Sequence, residues 1–398
     1  MTLANGRTYL AIPGPSVMPD RVLQAMHRAA PNIYEGELHD LTRAVVEDLK
    51  KVADTRHQAA IYIANGHGVW EAAVANVFSR GDKALVLGTG RFAQGWGEVA
   101  RRMGVEVELI DFGRRAPIDP TKLTEALAAD RDHRIKAVMC VQVDTASSVR
   151  NDIPVLRRVL DEAGHPALFM VDCIASLACD EFHMDDWGVD VMVSASQKGL
   201  MTPPGLGFVF YNDKADKARD TADLASFYWD WRPRAEPQVY YQYFAGTAPT
   251  HHLFGLREAL DMIAEETLPT IWARHSALAR AIWAACEAWG AEGPLELNIS
   301  DPALRSHAVT ALRIGAPHGT ALRHWLIENA GVTLGIGLGM ETEEDPRGDG
   351  FFRIGHMGHV NAHMVMGVLG AIQSGLTALN IPHGRGALDA AAEVLARP

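Results

Sequence analysis

Lys198 and Asp172 are the residues whose setting speaks most directly of chemistry. Lys198 lies in Ser196-Gln197-Lys198-Gly199, just after the apolar run Val189-Asp190-Val191-Met192-Val193. Asp172 ends another such run, Ala167-Leu168-Phe169-Met170-Val171. An acid and a lysine at the C-terminal ends of two strands suit pyridoxal 5'-phosphate. The amine forms a Schiff base with the cofactor aldehyde, and the carboxylate keeps the pyridine nitrogen protonated so that the ring can accept electrons from a substrate carbanion. Each residue alone has an ordinary reading: an aspartate after a strand is often a turn or cap residue, and a lysine there is usually solvated. The small residues Ala175-Ser176 after Asp172, and Thr202-Pro203-Pro204-Gly205 after Lys198, sharpen the pair. A Schiff base needs an approachable amine on a constrained loop.

Asn65-Gly66-His67-Gly68 sits between a strand pattern over 59–63 and a helix pattern over 69–78. Glycines at such a turn bring backbone N–H groups to a helix N-terminus, where a phosphate is favoured, and His67 could stack on an aromatic cofactor from there. Taken alone, the same residues read as a glycine turn with a capping asparagine. A rival chemistry comes from Gly88-Thr89-Gly90-Arg91-Phe92-Ala93, which follows a strand pattern as G-x-G-x-x-A, with Asp111 ending the next strand pattern as in an NAD-binding unit. Against an NAD-dependent oxidoreductase, the unit lies in the middle of the sheet rather than at its start, and nothing else supplies a hydride-transfer site. His356, His359 and His363 have the spacing of metal ligands, but glycines and an asparagine interrupt them; loop and cap roles are expected, and no metal. Trp229 and Trp231, in an aromatic stretch, are expected in packing or at a subunit interface rather than in a ligand cage.

The elements that must position these residues alternate. Strand patterns over 59–63, 83–87, 105–110, 137–141, 167–171, 189–194 and 207–211 enclose helix patterns over 69–78, 93–102, 120–128 and 153–162, the signature of a mostly parallel sheet covered by helices. This predicts an N-terminal segment and a large three-layer α/β/α domain together over 1–270. From about 295 the tail reads as strand, helix, glycine-rich loop, strand and helix, a smaller α+β domain over 271–398. The chain has 398 residues, 48% apolar and 22% charged, with a net charge of −12. That balance argues against nucleic acid or an anionic membrane as partner and favours small-molecule substrates. The N-terminal residues lack a signal-peptide pattern and no apolar stretch approaches membrane length, so a cytoplasmic protein is expected. Four cysteines without a C-x-x-C pair indicate neither disulfides nor a zinc site.

The segment from Val171-Asp172-Cys173-Ile174-Ala175-Ser176 through Ser194-Ala195-Ser196-Gln197-Lys198-Gly199 to Pro203-Pro204-Gly205 resembles the class V, fold-type I aminotransferases of the alanine:glyoxylate and serine:glyoxylate group. The similarity extends to Pro13-Gly14-Pro15, to Asn65-Gly66-His67-Gly68 with Glu71-Ala72-Ala73, to Gly255-Leu256-Arg257-Glu258-Ala259-Leu260 and to Phe352-Arg353-Ile354-Gly355-His356-Met357-Gly358. It implies that Lys198 is the Schiff-base lysine, Asp172 the partner of the pyridine nitrogen, Ile174 a contact on one ring face and Phe92 the aromatic on the other. It makes Gly66, His67 and Gln197 phosphate ligands, with Asn65 where relatives usually carry serine or threonine, and Thr145 a ligand near the ring hydroxyl. Thr247 would reach the phosphate of the neighbouring subunit in a homodimer, and Arg353 would bind the substrate carboxylate, which its planar fork of donors suits.

The resemblance further implies ping-pong transamination of a small amino acid, of the serine or alanine type, with glyoxylate. A different amine donor, or pyruvate as acceptor, is the alternative within the family. Phe92 stands where many relatives have tryptophan, and Phe244, with Tyr243 beside it, where a tyrosine is common. Asn32-Ile33-Tyr34-Glu35-Gly36-Glu37 replaces a histidine-arginine segment that borders the substrate in the family, so the donor does not carry over. Cysteine desulfurase chemistry needs a reactive cysteine on a mobile loop, and none follows Cys286. A binding protein without catalysis is disfavoured by the presence of lysine, aspartate and arginine together.

Overall fold

The computed structural model describes residues 2–397. After the short strand β1 (Tyr9–Ala11), seven strands build the larger sheet: β2 (Gln58–Ala64), β3 (Lys83–Gly88), β4 (Glu106–Asp111), β5 (Ile135–Val141), β6 (Leu168–Asp172), β7 (Val191–Ala195) and β8 (Gly205–Tyr211). Their order is β2-β8-β7-β6-β5-β3-β4, and β8 runs antiparallel to both of its neighbours. The remaining pairs are parallel. β6 and β7 are buried along their whole length, as expected of strands covered on both faces, which therefore read as continuous apolar runs. Alternate residues feed two separate cores. Leu85, Leu87, Phe169 and Met192 face one, and Val86, Met139, Met170 and Val193 the other.

The covering helices follow their apolar period. In the helix Ile153–Glu162, Ile153, Leu156, Val159 and Leu160 are buried, and Asp152 caps its N-terminus by accepting from the Val155 amide at 3.1 Å. Strand limits agree with the sequence patterns to within a few residues. Two helices begin earlier than their patterns, at Gly66 and Arg91; Gly66 and Gly68, which read as turn residues, lie in the first turn of one, and Gly90 is the N-cap of the other.

The smaller sheet contains β9 (Glu296–Leu297), β10 (Val309–Arg313), β11 (Val332–Ile336) and β12 (Phe351–Gly355), in the order β1-β11-β12-β10-β9. Here the expected division needs correction. β1 was expected with the large domain, yet it pairs in parallel with β11, Tyr9 opposite Val332, and Ala11 is buried in the second core. Three residues carry too little periodicity to reveal a partner more than three hundred residues away. The expected boundary at 270/271 falls inside the helix Leu268–Gly290, whose Ile271 packs in the first core while Leu278 onward packs in the second. Among the described residues, no helix is long and apolar enough to cross a membrane.

Candidate active site

In open α/β sheets, ligands bind beyond the carboxyl ends of the strands. Asp172 ends β6, whose parallel neighbour β7 places Val193 opposite it and then runs into the Lys198 loop. The Asp172 carboxylate is 4% exposed and held from two sides. Oδ1 accepts from the Ile174 amide at 2.7 Å and Oδ2 from the indole Nε1 of Trp70 at 2.7 Å. Burial pushes its pKa up to about 7, outweighing the two donors that favour the anion.

The loop carrying Lys198 is closed on itself. The Ser196 hydroxyl donates to the Pro203 carbonyl at 2.7 Å, the Thr202 hydroxyl to the Ser196 carbonyl at 3.0 Å, and the Ser196 amide to Leu206 at 3.0 Å. Lys198 Nζ donates to the carbonyl of Pro13, and its side chain lies on Gly14, where a Cβ would stand 2.5 Å from Nζ. Burial, and next the charge of Arg353, lower the Lys198 pKa to about 8, with Asp172 opposing. The amine is thus held in part as the neutral nucleophile near neutral pH.

Asn65 is the N-cap of the helix Gly66–Val77. Its Oδ1 accepts from the amides of His67 at 3.1 Å and Gly68 at 3.3 Å. The Asn65 cap thus engages two of the backbone N–H groups of the turn at which a phosphate was expected. Gly66 is buried with Ile174 packed against it, whereas the ring of His67 is exposed and meets Trp70 edge-on at 4.6 Å. Phe92 and Ile174 both border the core that contains Trp70.

The NAD alternative is overturned by Asp144, which sequence reasoning missed. Its Oδ2 accepts from the amides of Phe92 at 2.8 Å and Ala93 at 3.4 Å, and its carboxyl group fills the space over Gly90. The helix N-terminus a pyrophosphate would need is already occupied by a fully buried carboxyl group. Asp111, the expected ribose ligand, is engaged by Gln94 at 3.0 Å and the Gly113 amide at 2.9 Å.

Arg353, on β12, is 6% exposed. Its Nε donates to the Ile336 carbonyl at 2.7 Å and its Nη1 to the Thr145 carbonyl at 2.8 Å. Among the described residues its Nη2 donates to no protein group, leaving one edge of the fork open. Burial lowers its pKa to about 10. Thr145 therefore meets Arg353 through its backbone. Gln197 points a buried Oε1 with no hydrogen-bond partner among the described residues. Thr247 is exposed. The three histidines of the possible metal motif do not converge: His356 is buried with both ring nitrogens engaged, by Thr310 and the His307 carbonyl, while His359 and His363 are exposed. Trp231 is buried and stacked on Tyr211 at 4.1 Å. Trp70 was also missed, although it lies one helical turn after His67 and so on the same face.

A lysine and an aspartate at adjacent strand ends, facing a buried arginine from a second sheet, define an enzyme of the aminotransferase type. Residues 8–342 match the aminotransferase class-V family, and the chain belongs to that family. It is 36% identical over 379 residues to the serine–glyoxylate aminotransferase of Methylorubrum extorquens, covering 93% of this chain and 91% of that protein. It is 33% identical to the L-aspartate–glyoxylate aminotransferase of Paracoccus denitrificans, covering 96% and 94%. The alanine–glyoxylate aminotransferase structure from Nostoc sp. superposes with a TM-score of 0.84 at 26% identity, covering 94% of this chain and 97% of that one.

Proposed function

We propose that this aminotransferase uses pyridoxal 5'-phosphate to move the amino group of a small amino acid, of the serine or alanine type, to glyoxylate. The observation that carries the cofactor reading is the Asp172 carboxylate, buried beside the Lys198 loop. No cation lies in salt-bridge contact with it among the described residues, and burial has pushed it up to about 7. A protonated ring nitrogen would supply the missing positive partner. The unpartnered amide oxygen of Gln197 marks a second unmet polar group. When bound, the cofactor supplies an aldehyde that exchanges amines and a ring that accepts electrons.

The chain's own residues then have distinct tasks. Asp172, steadied by Trp70 and the Ile174 amide, holds the ring-nitrogen proton. Lys198 would take the proton from the donor α-carbon as general base and return one as general acid. Arg353 would bind the α-carboxylate and so orient the bonds at the α-carbon. Gly66, His67 and Gln197 would hold the phosphate and Phe92 and Ile174 the ring, and in a homodimer Thr247 of the partner subunit would complete the site. Donor and acceptor use one site in turn, which makes the kinetics ping-pong.

Glyoxylate as acceptor is supported by the relatives. The serine–, L-aspartate– and alanine–glyoxylate aminotransferases share glyoxylate in their names, whereas the named donor differs among them. Purified protein loaded with the cofactor should form glycine from glyoxylate with serine or alanine, and Lys198→Ala should not. Preference for pyruvate or 2-oxoglutarate would overturn the acceptor, and full activity of Lys198→Ala the mechanism.

A further inference from the structure

We infer that Ser16 is a positioning residue for Lys198, and that the arm from Ile12 to Ser16 transmits the occupancy of Arg353 to the lysine amine. Ser16 is 7% exposed. Its amide donates to the Gln197 carbonyl at 2.9 Å and its hydroxyl to the Lys198 carbonyl at 2.7 Å, so one residue staples two successive carbonyls of the lysine loop. Three positions earlier, the Pro13 carbonyl accepts from Lys198 Nζ. Backbone and amine of the same lysine are therefore held by one short segment.

The other end of that segment is seated on the strand of the arginine. β1 pairs with β11, and β11 pairs with β12 so that Gly335 stands opposite Arg353. A Cβ on Gly335 would lie 2.6 Å from Pro13 Cδ and 3.2 Å from Arg353 Cβ. A Cβ on Gly355 would run into the Ile12 carbonyl. Ile12 and Pro13 thus rest directly on the residues that flank Arg353. Arg353 in turn ties the Ile336 carbonyl to Thr145. When a carboxylate draws the guanidinium toward itself, any shift of β11 and β12 is felt at Pro13. Because Ser16 fixes the loop backbone, the shift appears as a change in the Pro13 hold on the amine rather than as a drift of the whole loop.

The inference rests on the proposal that Lys198 bonds the cofactor, and its test separates the two. Wild type, Ser16→Ala and Ser16→Thr are loaded with pyridoxal 5'-phosphate. The absorbance of the lysine–cofactor bond is then titrated with pH, with and without acetate, an unreactive carboxylate. The charged and titratable groups facing Lys198 are Arg353, Asp172 and Cys179. Acetate neutralises the arginine, so it should raise the wild-type midpoint. Ser16→Ala should move the acetate-free midpoint by about half a pH unit, the scale of one hydrogen bond, and shrink the acetate response, while Ser16→Thr restores both. Two unchanged midpoints in Ser16→Ala would overturn the inference. In parallel, cofactor-free protein is labelled with trinitrobenzenesulfonate and the Lys198 peptide quantified. Acetate should alter the labelling rate severalfold in wild type and clearly less in Ser16→Ala. Equal acetate responses overturn the role of Ser16 even if no cofactor band forms, an outcome that would itself overturn the cofactor reading.

Discussion

The indole nitrogen of Trp70 donates to Oδ2 of Asp172 at 2.7 Å, while the Ile174 amide holds Oδ1 at the same distance. Trp70 is 1% exposed, lies parallel to Trp96 with ring centres 6.4 Å apart, and meets Phe92 edge-on at 6.3 Å. It comes from the helix that begins with Gly66-His67-Gly68 after the Asn65 cap. One helix therefore supplies both a glycine-rich turn and the donor that aims the carboxylate.

Trp70→Phe keeps most of the packing but removes the donor. A buried charged acceptor left without its partner costs about 1.5–3 kcal/mol, or roughly 10- to 150-fold. Turnover should fall within that range and the cofactor should dissociate faster, since Asp172 would shift further toward the neutral acid. Steady-state rates and cofactor release by gel filtration check this; a variant within twofold of wild type in both would show that the Ile174 amide suffices.

Much of this site was legible in the sequence because its strands are buried on both faces and end in the residues that matter. Lys198 and Asp172 could be named from apolar runs taken together with the small residues and prolines that follow them. Arg353, Thr247 and the ring contacts came from resemblance, since their neighbourhoods have no pattern of their own. The residues that escaped are those whose partners are remote in sequence. Asp144 contacts the Phe92 amide, Trp70 contacts Asp172, and Ser16 contacts Lys198. A side chain folding across the ends of strands leaves no local period, and the same reason hid β1 from its place beside β11.

The Lys198 amine should give cofactor capture a pH dependence with a defined sign. Burial and Arg353 disfavour the ammonium, so the pKa lies at about 8 rather than 10.5. The neutral amine is the nucleophile. Capture of pyridoxal 5'-phosphate by cofactor-free protein should therefore rise about tenfold per pH unit below 8 and level off above it. Arg353→Ala removes a nearby cation and should move the midpoint upward. Stopped-flow absorbance measures both, and a rate independent of pH between about 6 and 9 would contradict the perturbed amine.

Arg353→Ala should weaken both half-reactions, each by at least the ~1.5–3 kcal/mol of a charge-assisted hydrogen bond, and leave the cofactor band nearly intact. The same arginine serves donor and acceptor because both bind in one site. Arg353→Lys should recover only part, since a point charge cannot replace the fork. Single-turnover rates with donor and with acceptor separate the two half-reactions. Loss of cofactor with normal substrate affinity would assign Arg353 to the cofactor instead.

Thr247 stands exposed just after Ala245 and Gly246, both with positive φ, a turn that presents it outward. If it reaches the phosphate of the partner subunit, each site draws on two chains. Sedimentation at low micromolar concentration should then show a dimer or larger assembly, and Thr247→Ala should weaken cofactor affinity by about 2- to 13-fold, the loss of one hydrogen bond. Mixing makes the test sharper. Lys198→Ala supplies an intact Thr247, and Thr247→Ala supplies an intact Lys198, so a mixed dimer contains one complete site and one doubly defective site. After dissociation and reassociation of the two variants, a fraction of sites should bind the cofactor with wild-type affinity and turn over, although neither parent does both. A mixture that behaves as the sum of its parents would show that Thr247 acts within its own chain or not at all.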